Sequence, residues 1–234
     1  MAGALPHLTA GLEAIANNPP TTPPSQAASV ACSSFACWTN AQIGNEAEAI
    51  RLLQLTDELA HIHQNPLAEA IYYGLCSAPL MTMQQVDQCL VFADRGVEVS
   101  RAHDFAFWLG TGLIIRGWCL GQIGQMSAAF EAIDEGFAVI ETTGAGVQLA
   151  NWYGMKAETQ LTAGQFNEGL ESAELALAHA SKTDDRYFVP RIHAVAARLE
   201  TELNQPEKSA HHARLATETA NEFGMSAKVT KLLI

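Results

Sequence analysis

The chain has 234 residues, enough for one large domain or two small ones, and carries 13 Lys and Arg against 25 Asp and Glu, a formal charge of -12. That balance excludes binding of a phosphate backbone by bulk electrostatics. An apolar fraction of 48% with 16% charged residues excludes disorder, and a mean hydropathy of +0.05 excludes a chain built mainly of membrane spans.

In chain order, Leu5 to Asn17 predicts one short helix and Pro19 to Pro24 a stiff linker, so residues 1–24 are set apart from a domain over residues 25–234. Beyond the linker, apolar residues recur at helical spacing with almost no alternating β-branched runs, which predicts an all-α fold of helix, short turn, helix. Turns are expected at Ile43-Gly44-Asn45, Met81-Thr82, Ile123-Gly124-Gln125, Ala163-Gly164-Gln165 and Asn204-Gln205-Pro206. Asn45 with Glu48, Thr82 with Gln85, and Asn204 with Glu207 fit the capping box that opens a helix, and Pro206 stands where a first-turn proline is tolerated. The longest nearly apolar run, Phe105 to Ile115, is well short of the roughly 20 residues of a membrane span. The segment MAGALPHLTAGLEA has no basic stretch followed by an apolar one, so a cytoplasmic chain without membrane contact is expected.

Small residues recur every 40 positions at Cys37, Ser77, Gly117, Ala157 and Ala197. A second set lies at Ala49, Cys89, Ala129, Gly169 and, with a one-residue insertion near Gln205, Ala210. A third set is Thr56, Gly96, Gly136, Ala176 and Thr217. Two antiparallel helices joined by a tight turn approach closely only where no bulky side chain intervenes, and each pair buries its apolar face against the next. The expected architecture is therefore a right-handed α-solenoid of about five helix pairs.

A small residue at Gly117, Leu120, the Gly124-Gln125 turn, Ala129 and Gly136 together resemble the tetratricopeptide repeat. That family's usual unit is 34 residues; the longer unit here implies longer helices or loops. The segments SVACSSFACWTNAQIGNEAEAI, IIRGWCLGQIGQMSAAFEAIDEGFAVIETTGA and LTAGQFNEGLESAELALAHA are similar to the helical tails of bacterial adenylate and guanylate cyclases and of ATPase-containing transcription regulators related to the maltose-regulon activator. The likeness covers roughly residues 25 to 220. No ATPase phosphate loop is present, so the engine of those relatives does not carry over.

Catalytic or metal chemistry finds little support in the residues. Five cysteines, odd in number and without a C-x-x-C pair, read as small buried hydrophobes. His61 with His63, and His211 with His212, have spacings that point apart on a helix, so they read as solvated helix-end residues; His103 and His193 read as partly buried packing residues. No nucleophile signature appears, and no catalytic residue, cofactor or metal is expected.

One face of the first helix in each pair is more informative. Counted from the small anchor, it carries Thr111, Ile114, Trp118, Gly121 and Gln122 in the third pair, Asn151, Gly154, Glu158, Leu161 and Thr162 in the fourth, and Arg191, Ala194, Arg198, Thr201 and Glu202 in the fifth. Trp38 holds in the first pair the offset of Trp118. The tetratricopeptide resemblance implies that this face lines a concave groove. The expected partner or ligand groove is thus Trp38, Thr111, Trp118, Asn151, Glu158, Arg191 and Arg198, holding a peptide or protein; inter-helix packing of the tryptophans is the competing reading. A small-molecule effector sensor is the alternative function. A self-associating scaffold, through the apolar segment Val229 to Ile234, is a third.

Overall fold

The computed structural model describes residues 3–226, all in helices and turns, with no strand among the described residues. The helices are α1 (Leu5–Asn17), α2 (Pro23–Ile43), α3 (Glu46–His61), α4 (Pro66–Thr82), α5 (Val86–Ala102), α6 (Ala106–Gln122), α7 (Met126–Thr143), α8 (Leu149–Thr162), α9 (Phe166–Thr183), α10 (Val189–Glu202) and α11 (Pro206–Glu222). The segment Val229 to Ile234 lies outside the described residues. No described helix is long and apolar enough to cross a membrane.

The hairpin turns repeat one backbone geometry. The amide N–H of residues 45, 85, 125, 165 and 205 donates to the carbonyl of residues 40, 80, 120, 160 and 200, at 2.8 to 2.9 Å. The residue before each donor lies at positive φ: Gly44 at 85°, Gln84 at 60°, Gly124 at 83°, Gly164 at 75° and Asn204 at 55°. This is a left-handed stop that satisfies the last carbonyls of the first helix, and glycine enters it without a Cβ penalty.

Three details of the turns differ from the sequence reading. The second turn is at Met83 to Gln85 because α4 runs on to Thr82, whose hydroxyl bonds back to Ala78 O at 2.9 Å. The fifth hairpin has no insertion: Gln205 closes it in step with the others, so Ser209 and Ala216 hold the small positions, Ala216 buried, while Ala210 is exposed. The expected capping boxes do not form at α3, α5 or α11, whose N-cap side chains accept no bond from the first turn. The one that does form is Thr22 with Ser25, which starts α2 inside the proline stretch at Pro23.

In the first four pairs a small residue meets the backbone of the partner helix. Cys37 Sγ donates to Ala49 O at 3.1 Å, and Cys89 Sγ to Ser77 O at 3.6 Å. A Cβ on Gly117 would stand 2.6 Å from Ala129 O, and one on Gly169 3.4 Å from Ala157 O. The small residue stands on the first helix in the first and third pairs, at Cys37 and Gly117, and on the second helix in the second and fourth, at Cys89 and Gly169.

Contacts divide the chain into two compact units, residues 1–113 and 114–234. In the first, α2 packs on α1, α3 and α4, and α4 on α5, around Leu52, Leu59, Tyr72, Leu80 and Phe92. In the second, α8 packs on α9, α10 on α8, α9 and α11, and the core is built on Trp118, Ile133, Trp152, Ile192 and Leu199.

Candidate functional site

Of the seven residues proposed for the groove, the structure brings three together in the second unit. Arg191, in the first turn of α10, donates through Nη2 at 2.7 Å and Nε at 3.1 Å to the same Oε2 of Glu158 on α8. Its guanidinium carbon lies 5.2 Å from the ring centroid of Trp118 on α6. The ion pair is partly shielded, with side-chain exposures of 14% for Glu158 and 21% for Arg191, so water weakens it less than an open surface pair. Stacking of Arg on Trp adds about 1 kcal/mol at such a site.

The rest of the face is mostly a packing seam. A Cβ on Gly121 would stand 2.8 Å from Thr159 Cγ2, and one on Gly154 3.1 Å from Ile192 Cγ1. These glycines let α6 approach α8, and α8 approach α10, closely. Trp118, 1% exposed, is consequently core, and its Nε1 has no hydrogen-bond partner among the described residues. Trp38, in the first unit, is 7% exposed and stacks on Phe35 with centroids 6.4 Å apart. Neither indole stands open as an anchor, and here the packing reading of the tryptophans fits the burial.

Thr111, also buried, turns its hydroxyl back to Phe107 O at 2.8 Å. Asn151 is buried two turns before Glu158 on α8, and Arg198 is exposed on α10. The open part of the face is therefore the polar edge formed by Glu158 and Arg191, with Arg198, Thr201 and Glu202 exposed farther along α10.

Four of the five cysteines, Cys37, Cys76, Cys89 and Cys119, are buried as small hydrophobes, while Cys32 is half-buried. Burial pushes the Cys76 thiol up to about 12 and the Cys37 thiol higher still. Among the described residues no group of three or more His, Cys, Asp and Glu is placed to hold a metal ion. Two histidine expectations change: His103 is exposed beside Phe105, while His212 is half-buried with Nδ1 2.8 Å from Nδ1 of His193. That pairing across α10 and α11 escapes a search along one helix.

No protein-family model matches the chain, and no curated protein matches it in sequence. Among solved structures it is similar to the crystal structure of BtubC (BKLC) from P. vanneervenii, with a TM-score of 0.60 and 12% identity over 94% of this chain and 89% of that one. At that identity the likeness concerns fold alone, and it agrees with an all-α, helical-repeat-like protein.

Proposed function

We propose that this chain is a tetratricopeptide-like α-solenoid with a 40-residue unit that binds a peptide or protein partner, without catalysis, along the polar edge of α8 and α10. The observation that carries the reading is the Glu158–Arg191 pair: two charged side chains, held by each other and by the Trp118 ring, present a fixed donor and acceptor set beside open helix surface. Preorganised groups of this kind bind with little ordering cost, and Arg is over-represented where binding energy concentrates. The recurring hairpin turns support the repeat reading, since each pair needs neighbours to bury its apolar face. A signalling or regulatory setting in the cytoplasm is part of the same proposal, supported by the sequence resemblance to the tails of cyclases and ATPase-containing regulators.

Selection of a displayed peptide library on the immobilised full chain tests this directly. Enriched peptides that bind the wild type and lose binding to Arg198→Glu and Glu202→Lys support the reading. A library that never enriches, or enriched peptides indifferent to both substitutions, contradicts it.

A further inference from the structure

Five residues hold one place in the hairpins, accepting the bond that closes the turn: Asn40, Leu80, Leu120, Gln160 and Glu200. All five are buried. Leu80 and Leu120 fill the place with hydrocarbon. Asn40 satisfies its amide, donating to Ala36 O at 2.9 Å and accepting from Asn45 Nδ2 at 3.2 Å. Gln160, with its amide nitrogen turned to Ser172, donates to that hydroxyl at 2.7 Å.

Glu200 breaks the pattern. It is 3% exposed, its Oε1 lies 3.8 Å from His212 Nε2, and its Oε2 has no hydrogen-bond partner among the described residues. A buried carboxylate oxygen without a donor is among the least favourable groups a fold can keep. Burial accordingly holds this carboxyl above the usual carboxylate range.

The same side chain lines a cavity of about 400 Å³ between α9 and α11. Its walls bring Glu174, Glu200 and Glu207 together with Lys208, His211 and His212, and Leu170 supplies an apolar side. Three carboxylates thus face one ammonium. His212 adds little positive charge to that balance at neutral pH, because burial holds its imidazole below its ordinary value. Lys208 is exposed and makes no bond to the free oxygen.

We propose that this cavity is a binding site for an alkyl ammonium or guanidinium group, with Glu200 as its counter-ion and Leu170 against the alkyl stem. The terminal torsion of Glu is broad, so a small rotation turns the unpartnered oxygen into the cavity. The incoming cation supplies the donor that the fold leaves out. The site is separate from the Glu158–Arg191 edge and stands whether or not that edge binds a partner.

The test is calorimetric titration of the full chain at neutral pH. The probes are agmatine, cadaverine, and a capped Ala-Ala-Arg-Ala-Ala peptide with its citrulline counterpart. The expected result is binding by the cationic probes and none by the citrulline peptide, with Glu200→Gln weakening binding on the order of tenfold or more. Glu200→Leu, which copies Leu80 and Leu120, should abolish binding and raise Tm. A peptide that binds more tightly than agmatine assigns the site to a partner's side chain, and equal affinity assigns it to a free amine. The proposal is overturned if no cationic probe binds the wild type, if Glu200→Gln binds like the wild type, or if Glu200→Leu lowers Tm.

Discussion

The Nδ1 atoms of His193 on α10 and His212 on α11 face each other at 2.8 Å, so one ring must offer a proton and the other a lone pair. Burial, and then the neighbouring His212 and His211, hold His193 down at about 4, below its ordinary 6.5; burial lowers His212 as well. The unfolded chain therefore takes up these protons first as pH falls. Stability from the pair is complete above about 6.5 and is lost progressively as pH drops toward about 4. The groups around it are Glu200 on α10, Lys208, His211 and Arg214 on α11, Glu174 on α9, and Asp184 and Arg186 beside His193. Glu200, held above the carboxylate range, acts in the opposite sense at lower pH and offsets part of the loss. The predicted loss is on the order of 1–2 kcal/mol, after allowance for partial exposure. Denaturant melts of wild type and His193→Tyr across this range check it: the variant, which copies Tyr153 of the preceding pair, should show a flatter profile, and an equally steep one would refute the assignment.

Trp118 is core, so Trp118→Ala should destabilise the second unit by about 3–5 kcal/mol, as loss of a large buried aromatic does. Arg191→Met keeps the stem over the indole and removes the charge, and should cost about 1–3 kcal/mol, part of it from leaving Glu158 without its partner. Urea melts of the two variants check the ranking. A Trp118→Ala chain as stable as Arg191→Met would place the indole outside the core.

At the hairpin contact of the third pair, Gly117→Ala puts a Cβ 2.6 Å from both Ala129 O and Ile133 Cγ1. Backbone cannot give way as a flexible side chain does, so the substitution should cost about 1–3 kcal/mol. Ala157 holds the corresponding place in the fourth pair, and Ala157→Gly should cost only about 1 kcal/mol, chiefly from helix propensity and lost methyl burial. Thermal melts of both variants distinguish a steric requirement at residue 117 from a general preference for small residues.

Gln84 sits at φ 60° in a turn where three of the other four hairpins use glycine. Gln84→Gly relieves a left-handed Cβ and should raise stability by about 0.5–1 kcal/mol, net of the extra freedom of the unfolded chain. An unchanged or lower Tm would show that the Gln84 bond to Met81 O, at 3.3 Å, already compensates.

Much of the fold was legible because close helix contacts leave a mark in composition. Cys37, Cys89, Gly117 and Gly169 are small because the partner helix's backbone faces them. In the fifth pair Ser209 and Ala210 are both small, so spacing alone did not decide between them and a false insertion resulted. The helical face with Trp118 was identifiable, but whether it met solvent or the next first helix depended on packing between pairs. A signal was there: Gly121 and Gly154 lie on that face, and glycine inside a helix marks a close crossing more readily than an open groove. Glu200 escaped because its partners come from other helices, although its alignment with Leu80 and Leu120 at 40-residue steps already marked it as out of place.

The most direct measurement of the partner-binding reading is quantitative recovery of a tagged full chain from a lysate of its native cells, with mass spectrometry of what accompanies it. Arg191→Met and Arg198→Glu run alongside, with Glu141→Lys as a surface control on α7 and melting curves to confirm folding. The account predicts one stoichiometric protein, retained by Glu141→Lys and lost from both arginine variants. A wild type that recovers no stoichiometric protein, or a partner kept equally by all variants, would contradict it.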